Sequence, residues 1–140
     1  MALHLIKLCV GCDTIEDELD WMAQNRRIHG TGWKHVHVTR MTPKRAAEIL
    51  DGGSLYWVMK GDVRCREAIT GLRAVTGSDG IGRCAIELSG ELVPTRFQPR
   101  RPFQGWRYLE AKDAPPDLSG GEAADMPEDL RRELAALGLM

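Results

Sequence analysis

The stretch Ser54-Leu55-Tyr56-Trp57-Val58-Met59-Lys60-Gly61-Asp62-Val63-Arg64-Cys65-Arg66-Glu67-Ala68-Ile69-Thr70-Gly71-Leu72-Arg73-Ala74-Val75 decides the fold. Its first seven residues, with the apolar and aromatic run Leu55–Met59 inside them, predict a strand. Lys60-Gly61-Asp62 then breaks the run. Beyond it, Val63, Cys65, Glu67 and Ile69 alternate with Arg64, Arg66 and Ala68, as in a strand with one face inward. In that reading Gly71 marks a bulge. A helix over Val63–Val75 is the competing assignment, and the local pattern leaves both open.

Working outward toward the N-terminus, Ala46, Ala47, Ile49 and Leu50 form the apolar side of a short helix. Thr42-Pro43 suits its start and Gly52-Gly53 its end. Trp33–Arg40 alternates and predicts a strand. Asp13 and Glu16 have capping-box spacing. Ile15, Leu19 and Met22 then give one helical stripe, ending before Gly30. Residues 3–10, LHLIKLCV, predict a buried strand bounded by Gly11.

Toward the C-terminus, residues 76–80 form a turn by composition and residues 81–88 a strand. Pro94, Pro99 and Pro102 keep residues 94–104 extended and away from a central strand position. Residues 105–109 close the series as a strand. The order is β-α-β-α followed by about four strands. Tight turns with few long crossovers favour an α+β fold, a small mixed or antiparallel barrel with flanking helices. One globular domain is expected over residues 1–112, an acidic Pro/Gly-rich linker over 113–126, and a short amphipathic helix over 127–140.

The chain has 140 residues, 43% of them hydrophobic, which suits one modest core. Its formal net charge of −1 conceals an asymmetry. Residues 1–20 carry one basic against five acidic side chains, residues 21–112 sixteen against eight, and residues 113–140 two against seven. A basic centre between acidic ends points to an anionic partner. No run of apolar residues is long enough for a membrane helix, and no signal peptide is recognisable, so a cytoplasmic location is expected. There the four cysteines are expected as reduced thiols rather than a disulfide framework.

Arginine interleaves with aromatic residues in Arg96–Tyr108, RFQPRRPFQGWRY. Guanidinium groups bind phosphate bidentately, and aromatic rings give unpaired bases a stacking platform. The expected nucleic-acid contacts are Arg40, Lys44 and Arg45 around the Thr42-Pro43 helix start, Arg64, Arg66 and Arg83 along a groove, and Arg100, Arg101 and Arg107 in the aromatic stretch. Trp57, Phe103 or Trp106 would stack a base. The preferred partner is RNA or another single strand, and RNA over DNA. The alternative is a hydrolase acting on a modified nucleoside or small amide, with Lys60, Thr39 and Glu67 sharing a pocket as its catalytic group. Core burial of the aromatics and ordinary solvation of the arginines compete with both. Cys9-Val10-Gly11-Cys12 has C-x-x-C spacing, and His35 and His37 share a strand face, but no complete ligand set follows. Neither a metal nor a cofactor is therefore expected. No hydrolase or phosphate-loop motif is present.

The blocks Met1–Asp13, Thr39–Arg45, Gly52–Val58, Asp79–Cys84 and Arg100–Leu109 resemble an alphaproteobacterial family, the domain of unknown function 1489, across residues 1–118. That resemblance implies a small bacterial protein and carries over no catalytic residue. More distantly, the helix at 42–50 leading into Leu55–Lys60, and the close Phe103–Leu109, resemble the PUA-like superfamily with its ASCH and EVE branches. This second resemblance implies a small β-barrel that binds RNA or a modified base.

Overall fold

The computed structural model describes residues 2–118. The helix predicted at 127–140, and the predicted linker beyond 118, lie outside the described residues. Seven strands and two helices follow in the order β1 (Leu3–Leu8), α1 (Ile15–His29), β2 (Val36–Thr39), α2 (Ala46–Leu50), β3 (Ser54–Met59), β4 (Asp62–Thr76), β5 (Gly82–Leu88), β6 (Val93–Pro99) and β7 (Trp106–Glu110). The fold is α+β around one mixed sheet.

The ambiguous segment is a strand throughout. β4 is 15 residues long and serves three partners. Its first half lies between β3 and β6, and its second half pairs with β5. The register shifts between Ile69 and Gly71, where the glycine was expected to mark a bulge. A side chain at Gly71 would run into the Glu87 carboxylate. A second shift lies between Val63 and Cys65. There Arg64 interrupts the alternation, so Val63, Arg64 and Cys65 are all buried in succession.

The sheet runs β2-β5-β4-β3-β1-β7, with β6 on the side of β4. β1 pairs parallel with β3 and antiparallel with β7, whereas the other pairs are antiparallel. The sheet is not closed into a barrel by strand pairing. Between the edge strands, the Trp106 indole N–H of β7 donates to the carbonyl of Met41, two residues beyond the end of β2, at 2.9 Å.

All six residues of β3 are buried, because the strand is covered on both faces. Leu55, Trp57 and Met59 pack with Leu3, Leu5, Ile15, Ile49, Ile86 and Trp106 on one face. Tyr56 and Val58 pack with Ile6, Val63 and Leu109 on the other. Among the described residues no helix is long and apolar enough to cross a membrane.

Four local expectations need correction. The capping box of α1 is Thr14 with Asp17, one residue later than Asp13 with Glu16. The inward stripe of α1 is Ile15, Glu18 and Met22, while Leu19 is 45% exposed. α2 begins at Ala46 without a side-chain cap of its own. The distant Tyr108 hydroxyl instead accepts from the Lys44 and Arg45 backbone N–H groups at 3.0 and 3.3 Å. Residues 113–118, where the composition predicts the start of a linker, run against β6. Arg96 N–H donates to the Pro116 carbonyl and Leu118 N–H to the Pro94 carbonyl.

Candidate functional site

β1 ends where Cys9 N–H donates to the Val58 carbonyl at 2.8 Å. Four residues, Cys9-Val10-Gly11-Cys12, then turn the chain toward α1. Gly11 takes φ +86° at the turn, a conformation disfavoured for side-chain-bearing residues. The turn brings the two sulfurs together, and Cys9 and Cys12 are joined in a disulfide. This corrects the expectation of four free thiols. Only Cys65 and Cys84, both buried, are free.

The Cys9–Cys12 turn forms one lip of a half-open cleft of about 210 Å³. Asp17, Glu18 and Trp21 enter from α1, His35 and His37 from the β2 region, and Trp57 from β3. One Glu18 carboxylate oxygen lies 3.3 Å from the Cys9 sulfur and 3.4 Å from the Cys12 sulfur. Its other oxygen is 3.6 Å from His35 Nε2. On the far side of the imidazole, His35 Nδ1–H donates to Glu67 at 2.8 Å. The Gly90 backbone N–H and the Trp57 indole N–H also donate to Glu67, at 2.9 and 3.4 Å. A line of carboxylate, imidazole and carboxylate thus runs from the sulfurs into the core. Burial pushes the Glu18 carboxyl up, reinforced by Glu67 and opposed by His35.

The imidazole also belongs to an aromatic stack. Trp33, His35 and Trp57 lie with their planes close to parallel, at centroid distances of 5.7 and 6.3 Å. Trp21 stands across this stack and is 46% exposed. His37 meets Trp57 edge-on. Burial, with Lys7 and His35 nearby, lowers the His37 pKa to about 4. His37 also lines a second cleft of about 320 Å³ with Lys7, Thr39, Arg40, Met41 and Trp106.

Of the residues expected to contact nucleic acid, Trp57, Arg40 and Trp106 line these two clefts. The others are dispersed. Arg66 makes a two-pronged ion pair with Asp117, both contacts 2.8 Å. Arg83 does the same with Asp79, and Arg45 joins Glu48 and Glu110. The backbone N–H groups of Lys44 and Arg45, ahead of α2, are directed at the Tyr108 hydroxyl. Arg100 bonds Gln98, and Arg107 lies over the Phe103 ring. Arg101 is exposed.

Arg64 departs most from expectation. It does not share a solvent face with Arg66 but is 1% exposed, over the Phe97 ring and 3.8 Å from Asp62. The bulge beside it turns its side chain inward. The expected catalytic group does not assemble either. Lys60 is exposed in the β3–β4 turn, while Glu67 lies five residues along β4 from Asp62, about 16 Å at the usual rise per residue. The Thr39 hydroxyl donates to the Met41 carbonyl.

Sequence reasoning missed Glu18 and Trp21. The C-x-x-C spacing and the His35–His37 pair were read only as an incomplete ligand set, with nothing to place them in one cleft. No curated protein and no solved structure matches the chain. A family model does match, over residues 5–140. The chain belongs to the family described as protein of unknown function, DUF1489.

Proposed function

We propose that the protein is a binding module for RNA or another single strand, which seats one base, modified or not, in the aromatic cleft. The observation that carries this reading is the adjacency of two clefts through His37. One offers the exposed Trp21 ring above the buried His35 and Trp57 rings, with the Glu18 carboxylate as a hydrogen-bonding group. The other offers Lys7 and Arg40, cations placed for a flanking phosphate. Rings supply sequence-tolerant stacking, and cations supply backbone affinity. A curved mixed sheet whose edges approach at Trp106 and Met41 supports the finer assignment to a PUA-like barrel. Arg45, Arg66 and Arg83 are instead occupied by carboxylates, which leaves Lys7 and Arg40 as the cations beside the aromatic cleft.

The test is a titration of a short single-stranded RNA, followed by tryptophan fluorescence between about 50 and 200 mM salt. Binding should weaken as salt rises. Lys7→Ala with Arg40→Ala should lower the slope of log affinity against log salt by roughly 1.4, two phosphates at about 0.7 each. Absence of binding to RNA and single-stranded DNA pools at low salt would overturn the reading.

A further inference from the structure

We infer that Cys9 and Cys12 form a dithiol–disulfide exchange centre, with Glu18 as the proton carrier and a disulfide-bearing protein segment as the substrate class. The exchange chemistry does not need nucleic-acid binding, although it shares Glu18 and Trp21 of the same cleft with that reading.

Four observations on different parts of the site converge. The first is the disulfide itself, closed across two intervening residues by a turn with a glycine in the left-handed region. The second is an asymmetry of access. Cys9 is partly exposed at the end of β1, whereas Cys12 is buried at 6% exposure. An outer sulfur that a substrate can reach, and an inner one that resolves the adduct, is the division of labour that exchange requires. The third is the Glu18 carboxylate, in contact with both sulfurs and backed by His35 and Glu67. The fourth is the rim. Val10 is 89% exposed and Trp21 46%, so apolar surface borders the outer sulfur. Such a rim fits an extended polypeptide better than a small hydrophilic disulfide.

The chemistry balances as follows. The Cys9 thiolate attacks one sulfur of a substrate disulfide, forming a mixed disulfide and releasing one substrate thiolate. Cys12 gives its proton to the Glu18 carboxylate and attacks the Cys9 sulfur. The Cys9–Cys12 bond forms and the second substrate thiolate leaves, to be protonated by Glu18. Two electrons pass from the dithiol to the substrate, whose disulfide becomes one thiol, protonated by Glu18, and one thiolate, which takes from water the proton that Cys9 gave up on ionising. The reverse reaction oxidises a substrate dithiol. The raised pKa of Glu18 suits a group that must alternately hold and release a proton. Cys65 and Cys84 are buried in the core and take no part.

The experiment uses the full chain, reduced and then equilibrated in glutathione buffers of graded ratio, with thiols counted by alkylation and mass spectrometry. One disulfide should form, between Cys9 and Cys12. In the reduced protein Cys9 should alkylate at least tenfold faster than Cys12. Cys12→Ser should accumulate a mixed disulfide with glutathione at Cys9, while Cys9→Ser should not. Glu18→Gln should slow closure of the ring about tenfold yet leave the equilibrium ratio within a factor of three. Insulin disulfides, as the protein arm, should be reduced faster per bond than glutathione disulfide. The opposite order would assign a small-molecule partner to the same exchange chemistry. Thiols that persist under excess glutathione disulfide, or equal trapping at Cys9 and Cys12, would overturn the inference. So would a transition metal ion retained on the reduced protein that blocks both from alkylation.

Discussion

Replacing Glu67 by glutamine probes the centre of the molecule with the smallest change of shape. Three donors converge on its two oxygens: His35 Nδ1–H and the Gly90 N–H on one, and the Trp57 indole N–H on the other. The carboxylate has no exposed surface, so water cannot replace a lost partner. A glutamine carbonyl can take over the two shorter bonds at 2.8 and 2.9 Å. Its NH2 group must then face the indole N–H, donor against donor. Loss of charge assistance in two bonds costs about 1 kcal/mol each, and the unsatisfied indole about another 1 kcal/mol. The expected destabilisation is about 2–3 kcal/mol, or about 6–10 °C in Tm for a chain of this size. Urea unfolding followed by tryptophan fluorescence measures it directly, since Trp57 reports on the same contact. Glu67→Ala should cost more, about 4–5 kcal/mol, because it also opens a cavity. A Glu67→Gln variant within about 0.5 kcal/mol of the parent would refute the assignment of Glu67 as a charged three-way acceptor.

Three further outcomes can be measured. The His37 pKa is about 4 when folded against 6.5 as a model group, so between those values the unfolded chain binds more protons and stability rises with pH. The full shift corresponds to about 3.4 kcal/mol, which partial exposure reduces to about 1.5–2 kcal/mol. Glu18, held up by burial, acts in the opposite sense above its ordinary range, so His37→Gln compared with the parent isolates the histidine. A parent and a variant with parallel pH–stability curves would exclude it. Gly53→Ala should cost at least about 2–3 kcal/mol in chemical denaturation, since the added methyl would meet the Leu3 and Ile49 backbone carbonyl oxygens, which cannot swing aside. Arg66→Ala should cost only about 1 kcal/mol but raise hydrogen exchange at the Arg96 and Leu118 amides at least tenfold, because its pairing with Asp117 holds residues 116–118 on β6. Unchanged exchange there would show that the backbone pairing is sufficient alone.

Much of the fold was legible where local pattern and burial agree. β1, β3, β5 and β7 were all readable as short apolar or alternating runs, and Gly71 sits at a bulge as its place in the pattern suggested. β4 was harder because it changes neighbours along its length. It is buried on both faces near Val63–Cys65 and is a half-exposed ribbon near Arg73 and Ala74, so no single period describes it. The cap of α2 could not be read nearby because it comes from Tyr108, 64 residues beyond Lys44. The candidate site suffers the same problem more severely. Glu67 is 32 residues from His35 in sequence, and their hydrogen bond exists only once β4 and the β2 region share a sheet. Cys9 and Cys12 were visible as a spacing, but the groups that give the spacing chemical meaning were not. Arg64 misled for a related reason: alternation assigned it to solvent, and the bulge reversed the assignment.

The place of β1 in the sheet has a consequence for how the chain reaches this state. It is made before the other six strands, yet it pairs with β3 and β7. Leu5 sits opposite Leu55, and Leu3 opposite Glu110. During synthesis at about 5–20 residues per second, its apolar side chains must wait several seconds for either neighbour to emerge. The hairpin of β3 and β4 can form as soon as β4 follows, well before β7 is made, because its pairs are close in sequence. The last long-range step is the arrival of β7 on the free edge of β1, which joins residues as far apart as Leu3 and Glu110. Folding of this small protein is therefore governed by loop closure over nearly the whole described chain, and its most aggregation-exposed moment falls while the first strand stands unpaired.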